Sequence, residues 1–147
     1  MAHRTFFSFH YEHDVQRASV VRKSSGFNTS ITPDWIDASL WEKAKSQSEA
    51  AIEELIADAL LATTVTVVLI GTRTANRKWI KYEIAKSQER NNALIGIYIH
   101  NIRDFDGKTA TKGENPLPYG TKAYDWINDD GYNNLGSWVD DAFDANN

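Results

Sequence analysis

The spacing of hydrophobic and polar positions changes period several times along the chain, and each change marks an element. Arg4 to Phe9, "RTFFSF", is a short apolar run that predicts a buried strand. After the polar loop "HYEHD", the segment "VQRASVVRK" (Val15 to Lys23) predicts a short helix, and "DWIDAS", around Trp35 to Ala38, a less regular second strand. Ser46 followed three residues later by Glu49 has the form of a capping box. Beyond it Ile52, Leu55, Ile56, Ala59 and Leu60 recur at the spacing of one helix face. Two continuous β-branched runs, "TVTVVLI" (Thr64 to Ile70) and "ALIGIYI" (Ala93 to Ile99), have the character of parallel strands covered on both faces. Between them "NRKWIKYEIAKSQERNN", residues 76 to 92, predicts an amphipathic helix.

Strands alternating with helices predict an α/β doubly wound parallel sheet, because each parallel connection needs a crossover. From His100 onward the pattern predicts a long irregular excursion, one last edge strand and a short final helix around Ser137 to Phe143, about five strands in all. With strand order 2-1-3-4-5, Arg4 to Phe9 and Thr64 to Ile70 are adjacent central strands. A binding crevice then opens between their carboxyl ends, where strand order reverses.

Composition narrows the picture. A chain of 147 residues, 41% hydrophobic, can bury one sizeable core and is too short for two independent domains, so residues 1 to 147 are expected to form a single domain with an acidic C-terminal part from about residue 121. No cysteine is present, which excludes disulfides, a thiolate nucleophile and cysteine-ligated zinc, and fits a reducing cytoplasm. The N-terminus "MAHRTFFSFHYEHD" lacks an export signal, and no run is long enough to span a membrane. Net charge is −4. Six Asp and no Lys or Arg lie from Asp125 onward, leaving +2 for the rest, so no basic nucleic-acid face is expected.

Glu83 poses the main question. With Ile80 at zero and about 100° per residue, Ile84 falls near +40°, Ser87 near −20°, Glu83 near −60° and Trp79 near −100°, so Glu83 flanks the apolar seam. One reading is a helix-surface contact with Ser87, Lys86 or Arg90. The other is a carboxylate aimed from a rigid helix at the crevice. His10 and His13 have a spacing that could hold a metal, but no matching carboxylate cluster accompanies them and no metal site is expected.

Four segments in order carry a resemblance: "FFSFHYEHD", "DASLWEKAK", "VVLIGTRTANRKWIKYEI" and "KGENPLPYG". The first is similar to the opening box of TIR domains, and "KWIKYE" is similar to their motif of Trp, three residues and Glu, with Trp79 and Glu83 in register. Together they resemble the TIR-like proteins of the bacterial Thoeris antiphage system, the ThsB family, over residues 2 to about 120. Lys78 and Ile80 flank the Trp where many TIR domains have Ser and Cys, and "ASLWEKAKS" replaces the usual Pro-Gly loop.

The resemblance implies a flavodoxin-like fold and an NAD-consuming enzyme, an NAD+ glycohydrolase or ADP-ribosyl cyclase, with Glu83 catalytic. It implies NAD+ as substrate with no further cofactor, and a cyclic or modified ADP-ribose signal. It further implies a separate effector that the signal activates, a phage-derived trigger and a possible homo-oligomer. Breaking the nicotinamide–ribose bond releases a neutral leaving group, so the main requirement is one carboxylate facing an oxocarbenium-like ribose. Trp79 could hold the rotamer of that carboxylate. Ser8 and His10 at the strand-one rim could contact ribose, phosphate or the nicotinamide amide, or merely cap the loop. Phe9 and Trp41, with Tyr11, could wall the mouth or pack in the core, and Asp37 stands in the loop after strand two. Asn115 could reach the site or serve as a turn residue before Pro116. "GTRTAN" has a single Gly, so pyrophosphate would have to meet the helix start near Thr74 to Asn76, with Arg73 or Arg77 assisting.

Two other functions share this topology. A non-catalytic TIR interaction module would carry Glu83 as inherited surface. A phosphoacceptor receiver would need acidic residues where this chain has Ser8-Phe9-His10 and Gly71-Thr72, and is excluded.

Overall fold

The computed structural model describes residues 4–24 and 48–146. Among the described residues four strands, β1 (Thr5–Ser8), β2 (Val65–Ile70), β3 (Ala93–Tyr98) and β4 (Ala123–Asp125), form one sheet in that spatial order, every neighbouring pair parallel. The helices are α1 (Tyr11–Ser24), α2 (Glu49–Leu61), α3 (Lys78–Glu89) and α4 (Gly131–Asn146). This is the α/β parallel-sheet architecture that the alternation of strands and helices predicts. The segment expected as the second strand, Trp35 to Ala38, lies outside the described residues, as do Asp37, Trp41 and Ser46.

Strand alternation divides the core. Phe7, Val65, Val67, Leu69, Ile95 and Ile97 pack with Ala18 and Val21 of α1 and with Leu135, Trp138 and Val139 of α4. On the other face Phe6 meets Ile52, Ile56 and Leu60 of α2, and Val68 and Ile70 meet Ile80 and Ile84 of α3. β1 ends the described part of the sheet, yet all four of its residues are buried, as expected for a strand adjacent to β2 and covered on both faces.

Three boundaries differ from expectation. α1 starts at Tyr11, inside the loop "HYEHD", with the Asp14 amide bonded to the His10 carbonyl at 2.9 Å. The cap of α2 is Ser48, whose hydroxyl accepts from the Ala51 amide. The final helix begins at Gly131, six residues before the expected start, because burial of Leu135, Trp138 and Val139 overrides the poor helix propensity of "GYNNLG". Glycine is required there: a Cβ at Gly131 would lie 2.1 Å from the Trp126 ring.

The excursion between β3 and β4 is irregular, as expected, but tied down. Arg17 of α1, 6% exposed, donates from Nε to the Ile102 carbonyl (2.7 Å) and from Nη2 to the Lys108 carbonyl (2.9 Å). Thr72 donates to the Thr111 carbonyl at 2.5 Å, and Gly113 lies so close to the tip of β2 that a Cβ would be 2.1 Å from the Gly71 oxygen.

Candidate active site

Ser8 is the last residue of β1 and Glu83 lies in the second turn of α3. Ser8 shares a sheet face with Phe6, the face that α2 and α3 cover, so the hydroxyl at the carboxyl end of β1 points toward α3. The Ser8 Oγ donates to Glu83 Oε1 in a short hydrogen bond between buried side chains. Glu83 is 0% exposed, and its other oxygen, Oε2, has no hydrogen-bond partner among the described residues. The buried seam of α3 is Ile80, Glu83, Ile84 and Ser87, so Glu83 belongs to the seam the wheel placed it beside. That position removes the surface-contact reading, and with it the premise of an interaction module carrying Glu83 as inherited surface.

Burial pushes the Glu83 carboxyl up from 4.5 to about 8, against the opposing effect of the Ser8 hydrogen bond. Desolvation of the charged form is the stronger influence, because one neutral hydroxyl replaces only part of the hydration a carboxylate loses. In this state the group holds its proton at neutral pH. A raised carboxyl at the carboxyl ends of parallel strands is the kind of perturbed group that clusters at functional sites.

A second polar chain runs beneath the same helix. The Ser87 hydroxyl donates to the Glu83 carbonyl (2.7 Å) and pairs with Thr66 Oγ1 (2.8 Å). The Asn92 amide reaches Thr66 Oγ1 (3.4 Å) and Thr63 Oγ1 (3.1 Å). These residues were not singled out as site residues in the sequence; the available signal was a threonine inside an apolar strand and a serine on the helix seam.

The remaining candidates separate by location. Trp79 is half-buried against the Phe6 cluster, edge-on to Tyr82 at 5.5 Å and under the Lys78 ammonium at 5.0 Å. The hydrogen-bond partner of the Glu83 carboxyl is thus Ser8, and Trp79 packs toward α2. Phe9 is buried in the cluster on the opposite sheet face, with Phe7, which gives it the packing role of the two considered. Asn115 is exposed and its Oδ1 accepts from the Leu117 amide at 2.9 Å, the turn role before Pro116. Arg73 and Arg77 are exposed, and α3 begins at Lys78, after a separate 3-10 turn at Thr74–Asn76.

His10 is half-buried and stacks on His13 with ring centroids 6.2 Å apart. His13 Nδ1 lies 2.9 Å from Asp14 Oδ1, and Asp14 Oδ2 is 3.4 Å from the Thr74 hydroxyl. Asp14 is 1% exposed, and a Cβ on Gly71 would lie 2.3 Å from its Oδ2, so only glycine lets the tip of β2 approach this carboxylate. The start of α1 and the tip of β2 therefore meet through Asp14, at the carboxyl ends of β1 and β2. Among the described residues no group of His, Cys, Asp and Glu is arranged to hold a metal.

Residues 6–104 match the family model of the Thoeris protein ThsB, TIR-like domain, a span that includes Ser8, Trp79 and Glu83. The chain belongs to the ThsB TIR-like family. A ThsB relative from Bacillus cereus (strain MSX-D12), named "Putative cyclic ADP-D-ribose synthase ThsB1", is 36% identical over 192 aligned positions, covering 95% of this chain and 100% of that protein. The ThsB match agrees with the parallel α/β sheet. Asn115 falls beyond the matched span of the ThsB domain.

Proposed function

We propose that this chain cleaves the nicotinamide–ribose bond of NAD+ and converts the ADP-ribose part into a cyclic or otherwise modified nucleotide signal in antiphage defence. Glu83 is the catalytic carboxylate. The observation that carries this reading is the fully buried Glu83, held by Ser8 at the carboxyl ends of β1 and β2. The name of the Bacillus cereus relative, "Putative cyclic ADP-D-ribose synthase ThsB1", supports the product class.

The chemistry follows from the burial. An oxocarbenium-like ribose is stabilised by a negative charge in a water-poor site, where such a charge acts far more strongly than in solvent. In the resting state Glu83 is neutral and its Oε1 is engaged by Ser8. Ribose hydroxyls donating to the carboxyl, together with the positive nicotinamide ring, favour its ionised form, so the charge develops where the reaction needs it. Ser8, already a donor to Oε1, can remain as a ribose-side contact. His10 is a rim contact for phosphate or amide, and Asp37 and Trp41, outside the described residues, complete the binding residues. Cyclisation in place of hydrolysis requires exclusion of water and a second nucleophile held at the anomeric carbon.

NAD+ is the substrate and no other cofactor takes part. The signal passes to a separate effector, a phage-derived component triggers the enzyme, and a homo-oligomer is compatible with the fold. The protein acts in the cytoplasm as a single domain; no helix of the described residues is long and apolar enough to cross a membrane. The test is nicotinamide release and cyclic product in extracts of phage-infected cells carrying wild type or Glu83→Gln. Messenger in the wild type alone supports the assignment, and equal output from the two removes it from Glu83.

A further inference from the structure

The chain Asn92–Thr66–Ser87 buries polar groups where valine and alanine would pack well, and its donor order can be read from the distances. The Ser87 hydrogen is committed to the Glu83 carbonyl at 2.7 Å. Thr66 must then donate to Ser87 across 2.8 Å, and Asn92 donates in turn to Thr66 at 3.4 Å and to Thr63 at 3.1 Å. Thr63 closes the other branch on the Leu60 carbonyl at 3.3 Å. The Asn92 backbone N–H also donates to the Ser87 carbonyl at 2.8 Å. Every donor is used once, so the chain runs in one direction. Thr66 and Ser87 are both fully buried.

α3 needs such an anchor because of what it carries. A carboxyl buried with one oxygen unpartnered among the described residues gains hydration if the helix turns about its axis, while Ile80 and Ile84 oppose that rotation only through contacts that have no preferred direction. A hydrogen-bonded contact does have a direction. Thr66 lies on β2 between β1, which supplies Ser8, and β3, so it fixes α3 relative to the strand pair whose carboxyl ends hold Ser8 and Glu83 together.

We propose that Thr66 and Ser87 are positioning residues: their directional hydrogen bonds lock the rotation of α3 on β2 and thereby keep the Glu83 carboxyl buried against Ser8. Neither touches the reacting atoms. The role attributed to Glu83 rests on the proposed function, but the lock itself is a statement about geometry and is tested separately.

The experiment measures the titration midpoint of Glu83 by carboxyl carbon NMR, its resonance identified by its absence in Glu83→Gln. Thr66→Val keeps the shape and removes the donor, Thr66→Ser restores the donor, and Ser87→Ala removes the link to the Glu83 carbonyl while favouring the helix. The midpoint is expected to fall by at least about one unit in Thr66→Val and Ser87→Ala, as rotation exposes the carboxyl, and to return in Thr66→Ser. In infected-cell extracts the same two variants should lower messenger output by about 10²-fold, the scale of a misplacement near 1 Å, with recovery in Thr66→Ser. An unmoved midpoint in folded Thr66→Val and Ser87→Ala overturns the lock. Should Thr66→Val not fold, Ser87→Ala decides alone. Moved midpoints with no NAD+ cleavage even by wild type would support the lock and refute the proposed function.

Discussion

Ser8 and Glu83, 75 positions apart in sequence, meet at the end of β1 with both side chains buried, the serine hydroxyl bound to one carboxyl oxygen and the other left without a partner among the described residues. The pair joins a strand to a helix that reaches the sheet through a different crossover. Its chemistry is set by burial, so substitutions at either position should change titration, stability and activity together.

Replacing Glu83 by Gln should abolish messenger formation, with a loss of at least about 10²-fold, while leaving the fold intact. It should also flatten the pH dependence of stability. The unfolded chain releases this proton near 4.5 and the folded chain near 8. The neutral carboxyl therefore carries no ionisation cost below about pH 4.5. As pH rises toward 8 the unfolded state is progressively favoured, by several kcal/mol in total. Wild type should lose stability to urea across that window relative to Glu83→Gln, and parallel curves would show that the carboxyl is not buried in solution.

Ser8→Ala removes the hydrogen bond that pulls the Glu83 carboxyl down, so its titration should move further above about 8. Because the site is buried, the substitution should also cost about 1–3 kcal/mol, which distinguishes it from a surface change. Denaturation at pH 5 and carboxyl NMR measure the two effects on one sample.

Gly71→Ala should be strongly destabilising, by roughly 1–3 kcal/mol or more, since the new methyl group would overlap Asp14, which is itself buried. A double-mutant cycle with Asp14→Ala checks the cause: the cost of the alanine at 71 should shrink in that background. Equal costs in both backgrounds would place the strain elsewhere.

Arg17→Lys should free the excursion between β3 and β4, because a single ammonium cannot reproduce two guanidinium bonds to the Ile102 and Lys108 carbonyls. Amide exchange at Ala110, bonded to the His100 carbonyl, should accelerate while β2 amides stay protected. Unchanged exchange at Ala110 would show that the other contacts, from Thr72 and Gln16, suffice to hold the segment.

Much of this was legible because periodicity is a local property. The runs around Val67 and Ile95 announced central strands, and the wheel position of Glu83 announced a carboxyl near the seam. Strand alternation also contained the division of Phe7 and Phe9 from Ser8, although it does not say which face α3 will cover. What could not be read was long-range pairing. Nothing near Ser8 names Glu83, and Thr66 inside "TVTVVLI" looks like an ordinary β-branched residue until Ser87 is brought against it. The early start of α4 was hidden for the same reason: Leu135 and Trp138 draw glycine and asparagine into a helix only once the sheet is there to pack on.

The proton that Glu83 retains at neutral pH makes substrate capture a proton-releasing event under the proposed reading. Occupying the crevice with a positively charged nicotinamide riboside would expel up to about one proton to solvent, visible as a buffer-dependent heat of binding. Between about pH 5 and 8 affinity would then tighten by as much as about tenfold per pH unit. Acidification of the host cell would loosen substrate at the same atoms that carry out the reaction.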